Sequence, residues 1–483
     1  MSIKFQLPDH KTKIVCTIGP ASKTPQILES LILSGMNVAR INFSHDAFDT
    51  SRKTIEMIRE ASRKTGRIVD ILIDLPGAKI RVGALDAPIP LKKGQRVTLT
   101  TRSVKMGQKN IIPVEYKQLT KSVVKGNIIF LSDGFIQLKA LDVKEFTVDC
   151  MVIMGGELRS HKGLNLPGAK MYAKPVTARD LEIIRFGLSV GVSTFALSFV
   201  EKALDIINVR AMAHKMGKKI NLVAKIERKE AIDNFDEILD VADAIMVARG
   251  DMGVEIPVEE VPLVQKSLIK KANHAGIPVI TATQMLMSMT QNIRPTRAEV
   301  NDVANAIIDG TDAVMLSEET AMGQYPVEVV RMVRKIAIKT EAQYNNIRAF
   351  SDQVQNQEIV LQKGFEVPDV ISRGVVRAVV KINARYIMIP THSGNTVRHI
   401  SRFKPACWIL AFTPNMITSR FLMLSYGVYP FFMPSETKIQ SKETIKFLKS
   451  SRMIKVGERV VVTQRQFSQI HGETDVMGII TVR

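Results

Sequence analysis

A short apolar run followed by a helical pattern recurs along this chain, and eight such units can be counted. The runs are Lys13–Thr17, Met36–Ile41, Ile68–Asp74, Thr194–Val200, Asn221–Ala224, Ala244–Val247, Pro278–Thr283 and Ala313–Leu316. Helical patterns separate them. Thr24-Pro25 opens the first helix, with proline where a first turn tolerates it, and Gly35 ends it. Others span Phe48–Lys64 and Lys229–Leu239, and a loop followed by a helix occupies Asn292–Asp309. Strand–helix alternation predicts a parallel sheet under helical cover, and eight repeats close naturally as a (β/α)8 barrel.

The alternation breaks twice. From Ala84 to about Lys174 short β-rich segments replace it: Arg96–Thr100, Asn127–Phe130, Phe135–Ala140 and Thr147–Ile153. Ser132-Asp133-Gly134 and Gly155-Gly156 turn the chain between them. A small all-β domain is therefore expected inside the barrel, which resumes at a capping box, Thr177-Ala178-Arg179-Asp180. After a helix to about Ile347, the Gln-rich piece Ser351–Gly364 reads as a linker. Alternation then returns with a helix Val370–Asn383, strands Tyr386–Pro390 and Trp408–Phe412, and late strands Val456–Thr463 and Met477–Val482. The expected domains are a barrel of residues 1–83 and 175–347, an inserted lid of 84–174 and a C-terminal α/β unit of 348–483.

In a parallel barrel the chemistry sits where strands end. The fifth run ends in Lys225-Ile226-Glu227, and side chains two apart on a strand share a side. The sixth ends in Arg249-Gly250-Asp251. Two carboxylates and an ammonium group thus meet at one edge, a set that suits Mg²⁺ (or Mn²⁺) holding a phosphorylated substrate. Alone, Lys-x-Glu is a solvated ion pair and Arg-Gly-Asp a turn. The second run delivers Arg40, Asn42, Ser44 and His45 to the same edge, and the third runs into Asp74-Leu75-Pro76-Gly77-Ala78-Lys79-Ile80-Arg81.

The balance of charges narrows the alternatives. The formal net charge is +20, which suits a nucleic-acid binder, a surface attractive to anionic metabolites, or a lineage-wide bias. The basic residues are scattered singly, as through Arg331–Lys339, and no zinc finger, basic arm or aromatic RNA-binding motif is present. A generally basic surface is the favoured reading, with a non-catalytic nucleic-acid-binding barrel as the alternative. Cys16, Cys150 and Cys407 show no paired spacing, which fits a reducing cytoplasm and no zinc cluster. No apolar run is long enough to span a membrane, and the first twenty residues lack a signal-peptide segment.

The stretches Thr17–Ala21, Arg40–His45, Asp74–Arg81 in part, Lys162–Gly168 (KGLNLPG), Leu222–Glu227, Ala248–Gly253, Thr281–Leu286, Arg294–Val300 and Asp312–Ala321 occur in this order. Together they resemble the pyruvate kinases over nearly the full length. The resemblance implies Mg²⁺-dependent phosphoryl transfer between phosphoenolpyruvate and ADP, giving pyruvate and ATP. It implies metal ligation by Glu227 and Asp251, and Lys225 and Arg40 at the phosphate. The N–H groups of Gly250 and Asp251 would take the substrate carboxylate. Thr283 would stand near the enol carbon, in the water or proton relay. Nucleotide contacts fall on Asn42, Ser44, His45, Arg81 and Lys162, the last on a closing lid. The family's monovalent-ion region maps to Asn42, Ser44, Asp74, Leu75 and Lys79. Here a threonine of the family's motif has become Leu75 and a glutamate Lys79, whose ammonium can replace the ion, so K⁺ is not expected to be required. The C-terminal loop Thr391, Ser393, Gly394, Asn395, Thr396 suits a phosphorylated allosteric effector, although Gln464–Asp475 lacks the glycine-rich pattern expected beside it. A homotetramer is implied by the family alone.

Overall fold

A computed structural model describes residues 7–43, 47–102, 110–132, 134–172, 176–350, 367–434, 441–464 and 474–483. Its largest element is a closed barrel of eight parallel strands, Lys13–Thr17, Val38–Asn42, Asp70–Asp74, Thr194–Leu197, Asn221–Ile226, Ala244–Ala248, Val279–Ala282 and Ala313–Leu316. Each pairs with its neighbour in sequence, and the first closes on the eighth through Lys13 opposite Ala313. These strands are apolar on both faces, as a sheet enclosed on both sides requires. Alternate residues serve the two faces. Val15, Val38, Leu72, Val223, Met246 and Ile280 share the central cluster, while Ile14, Ile41, Ile73, Leu222, Val247 and Leu316 pack in a second cluster with helical residues.

Local signals in the chain set the helices. Thr24 caps the helix Pro25–Ser34, and Gly35 closes it at a φ of 132°. Thr177 and Asp180 form the expected capping box at the start of Ala178–Ser189, and Thr296 and Glu299 form another at Arg297–Asp309. The expected helix Lys229–Leu239 is two short ones, Lys229–Asp233 and Phe235–Leu239. Asn234 lies between them with its amide on the carbonyl of Glu201.

Between the third and fourth barrel strands lies a six-stranded, mostly antiparallel sheet. It comprises Leu164–Asn165, Ile128–Leu131, Ile136–Val143, Thr147–Met154, Arg96–Thr100 and Ile111–Pro113 in that spatial order, with a small ribbon of Gly156–Leu158 and Ile89–Leu91 beside it. It has its own apolar core. The C-terminal residues form a five-stranded sheet in the order Val428–Phe432, Trp408–Thr413, Tyr386–Pro390, Arg459–Gln464, Val476–Thr481, parallel except for the last strand. The edge strand Val428–Phe432 escapes sequence reading because Pro430 interrupts it, and an edge is where a strand tolerates proline. The Ser351–Gly364 linker expectation lies outside the described residues.

The C-terminal part meets the N-terminal end of the barrel. Phe421, Met423 and Leu424 join the barrel's central cluster, and Lys404 forms an ion pair with Asp312 at 2.7 Å. The barrel's base is thereby closed, leaving the C-terminal strand ends for a site. Among the described residues, no helix is long and apolar enough to cross a membrane.

Candidate active site

Six charged side chains converge at the C-terminal ends of the barrel strands. Lys225 lies 2.7 Å from Glu227 Oε1 and 3.4 Å from Asp74 Oδ1, and donates to Ser198 Oγ at 2.8 Å. Arg40 lays Nε and Nη2 on Asp74 Oδ2 at 2.7 and 2.6 Å, and Nη1 on Thr17 Oγ1 at 2.7 Å. Lys79 reaches Asp251 Oδ1 at 3.1 Å. Three cations therefore face three carboxylates. The period of two that places Lys225 and Glu227 on one side is realised in the Lys225–Glu227 contact.

Burial sharpens these interactions. Side-chain exposure is 12% at Lys225, 3% at Asp74 and 1% at Glu227. Burial by itself would lower the ammonium pKa of Lys225, but the carboxylates of Asp74, Glu227 and Asp251 outweigh it and hold it above the usual range. For Asp74, burial opposes ionisation and is outweighed by Lys225 and Arg40, so its carboxyl sits below the usual range. For Glu227, burial wins, and the nearby negative charge of Asp251 adds to it against Lys225, so its pKa is raised. Glu227 Oε2 accepts the N–H of Phe199 at 2.7 Å, an amide aimed there by a left-handed backbone (φ 56°).

The seventh strand ends one residue before Thr283, which turns into the left-handed region (φ 70°). Its Oγ accepts the N–H of Gly250 at 2.8 Å, so that amide is already engaged by threonine. Asp251 lies in the first turn of the short helix Arg249–Glu255. Leu75 is 2% exposed and packs in the core between strands and helices, with its N–H on Ala196 O and its carbonyl accepting Ser198 Oγ.

The nucleotide candidates are spread out. Asn42 ends the second strand, beside Asp74 in register. Arg81 donates to the carbonyl of His161 in the inserted segment, and Lys162 beside it is exposed. Ser44 and His45 lie outside the described residues. Far from this site, Thr391 Oγ accepts Gly394 N at 2.9 Å, Ser393 Oγ accepts Asn395 N at 3.4 Å, and Thr396 meets Thr474 at 2.6 Å. These contacts shape a loop entering the helix Asn395–Ser401 at a glycine with φ 80°. Residues 465–473 of the neighbouring stretch lie outside the described residues.

Sequence reading passed over Ser198, the Phe199 amide and Arg249. Ser198 stands at the end of the fourth strand and could have been found by the same strand-end rule. Arg249 belongs to the Arg-Gly-Asp stretch, but its partner Asp302 is 53 residues away and invisible to local pattern.

The metal-binding capacity of the set follows from its donors. Among the described residues no group of three or more His, Cys, Asp or Glu is placed to hold a metal ion. Glu227 and Asp251 offer two hard carboxylates that repel one another. Mg²⁺ takes one or two protein carboxylates and completes its shell from water and substrate oxygens, so the pair fits such an ion when substrate is present.

Comparison with known proteins points one way. The family model described as pyruvate kinase, barrel domain, matches residues 9–330, and the one described as pyruvate kinase, alpha/beta domain, matches residues 369–480. A pyruvate kinase of Thermococcus litoralis is 49% identical over 466 residues, spanning 95% of this chain and 96% of the relative. One of Sporosarcina psychrophila is 41% identical, spanning 97% of this chain and 80% of the relative. The crystal structure of a pyruvate kinase from Cryptosporidium parvum superposes with a TM-score of 0.88 at 34% identity, spanning 98% of this chain and 97% of that one.

Proposed function

The chain belongs to the pyruvate kinase family, and from that premise we propose how its own residues move a phosphoryl group from phosphoenolpyruvate to ADP. The observation that carries the assignment of roles is the buried Lys225 ammonium, held between Glu227 and Asp74 at the strand ends. A cation fixed there offsets charge on the phosphoryl group in transit without reorganising. Arg40, aligned by Asp74 and Thr17, binds the same phosphate. The family implies dependence on a divalent metal; Glu227 and Asp251 would hold Mg²⁺ or Mn²⁺ together with substrate oxygens. Such an ion, when bound, neutralises charge on phosphate and enol oxygen. Gly250 and Asp251 receive the substrate carboxylate, with the Gly250 amide exchanging its threonine partner for it. Thr283 orients the water or proton relay that delivers a proton to the enol carbon. Asn42, Ser44, His45, Arg81 and Lys162 contact the nucleotide.

The same reading gives a barrel of residues 1–83 and 175–347, a lid of 84–174 that closes over the site, and a C-terminal unit of 348–483. The lid is supported by the pairing of Arg81 with His161 and Gly163, which ties the two chain passages between barrel and inserted sheet together. Thr391–Thr396 is proposed to take a phosphorylated effector, supported by its hydroxyl-lined entry to a helix; saturation by phosphoenolpyruvate that sugar phosphates and AMP leave unmoved overturns this. A homotetramer is proposed on membership of the family alone; any mass in light scattering other than four chains' overturns it. No observation favours the nucleic-acid-binding alternative.

K⁺ is proposed to be dispensable, because Lys79 brings an ammonium to Asp251 and Leu75 is committed to the core. The test is pyruvate formation from phosphoenolpyruvate and ADP with Mg²⁺ in tetramethylammonium buffer, with and without added K⁺. Turnover is expected without K⁺. Turnover only with K⁺ removes the Lys79 argument, and folded protein inactive in both removes the roles given to Lys225 and its neighbours.

A further inference from the structure

Once the phosphoryl group has left, the enolate carbon must gain a proton, and the residue given that task sits in a strained corner. Thr283 and Gln284 both have positive φ, 70° and 52°. A β-branched residue there is strained and persists only where its surroundings over-determine it. Arg249 supplies the constraint. Its Nε donates to Ala282 O at 3.2 Å, and its Nη2 to Thr283 O at 2.6 Å and Gln284 O at 3.4 Å. Its Nη1 lies 2.7 Å from both carboxylate oxygens of Asp302. One guanidinium thus ties three successive carbonyls of this turn, while Asp302, on the helix Arg297–Asp309, fixes its plane.

A guanidinium has five N–H donors, and with Gln265 Oε1 3.5 Å from Nη1 and Met285 Sδ 2.8 Å from Nη2 its nitrogens are all engaged within the protein. Arg249 therefore stands two residues before Asp251 with nothing left to offer a phosphate. What it does offer is placement. Its successor Gly250 donates to Thr283 Oγ, which in turn donates to Ala282 O at 2.6 Å, so the hydroxyl's position depends on the turn that Arg249 holds.

We propose that Arg249 and Asp302 are positioning residues for the proton-transfer half of the reaction, acting through Thr283 and taking no part in phosphoryl transfer. This rests on the reading of Thr283 given above. In the step concerned, the enolate's C=C pair takes a proton from water, a C–H bond forms at the methylene carbon, the enol oxygen becomes the ketone oxygen, and hydroxide passes to the buffer.

The two halves can be read separately. Phosphoryl transfer is followed by ³¹P NMR of phosphoenolpyruvate consumed with ADP and Mg²⁺. Proton transfer is followed by ¹H NMR of deuterium entering the pyruvate methyl group in D₂O with ATP and Mg²⁺. Asp302→Asn and Arg249→Lys are expected to slow methyl exchange about tenfold or more, with phosphoryl transfer falling less than about threefold. Thr283→Ala should slow exchange as far, and adding Asp302→Asn to it should change little, as expected for residues acting through one group. Equal losses in both halves overturn the proposal and mark the pair as a general brace. Exchange unchanged by Asp302→Asn and Arg249→Lys but slowed by Thr283→Ala overturns it while leaving the role of Thr283. Exchange unchanged by Thr283→Ala overturns that role and the proposal together. Should Asp302→Asn fail to fold, Arg249→Lys, which keeps the charge but loses the planar fork, decides alone.

Discussion

Lys79 makes its ion pair with Asp251 where both side chains are a quarter exposed. A tethered ammonium supplies one positive charge beside the carboxylate at no cost in ion capture. Exchanging it for a carboxylate should reverse the situation, leaving like charges that a free monovalent cation can relieve. Lys79→Glu is therefore expected to lower turnover about tenfold or more in tetramethylammonium buffer and to regain part of it as K⁺ is added. Pyruvate formation against K⁺ concentration measures this, and a flat response in the variant would falsify the substitution. The placement of Lys225, Glu227 and Asp251 was legible because they sit at strand ends, where a period of two and the barrel's polarity already dictate direction. Arg249 was not, since a guanidinium's partners come from the tertiary fold: three carbonyls of one turn and a carboxylate on a distant helix.

The loop after the third barrel strand shows how an element holds the site in place. Gly77 has φ 62°, its N–H donates to Asp180 Oδ1 at 3.1 Å, and a Cβ there would meet Phe199 Cδ2 at 2.9 Å and Ser198 Cβ at 3.1 Å. Asp180 is the carboxylate of the capping box at Ala178–Ser189, so both barrel connections of the inserted sheet converge on one buried group. Gly77→Ala strains the backbone and pushes on the two residues whose N–H and hydroxyl serve Glu227 and Lys225. It should cost about 1–3 kcal/mol of stability. It should also reduce kcat about tenfold, since small displacements of positioned charges are costly. Circular-dichroism melting and steady-state kinetics check both, and parental kcat in the variant discards the argument. At this scale the barrel strands and the Thr177–Asp180 capping box were legible because their signals are local. The break at Asn234, the proline-bearing edge strand Val428–Phe432 and the two- and three-residue strands of the inserted sheet depend on partners far along the chain.

The whole molecule is joined at the barrel's base, opposite the chemistry. Lys13, on the first strand, is 1% exposed and donates Nζ to Val428 O at 2.6 Å in the C-terminal sheet, 5.2 Å from the ring centroid of Trp408. Burial lowers its pKa to about 7; Glu341 and Asp312 oppose that shift without cancelling it. His10, also buried, is held largely neutral, with a pKa lowered to about 4, and Asp312 is paired with Lys404. The sign follows from proton counting. Above pH 7 the folded chain has released a proton that an unfolded lysine, with a pKa of about 10.4, still binds, so stability rises with pH over this interval. The neutral amine still donates to Val428, so the contact itself survives. Lys13→Met removes the titration. Between pH 7 and 9 the parent is expected to gain about 2 kcal/mol relative to the variant. That gain appears as a thermal-midpoint difference moving in the parent's favour. Trp408 is the chain's single tryptophan and lies beside the group that titrates, so its emission should change with a midpoint near pH 7 in the parent and stay level in Lys13→Met. Parallel midpoint curves and level emission in both proteins would mean that Lys13 stays charged across the seam. The barrel and C-terminal sheet would then be joined by a buried cation rather than by a neutral amine.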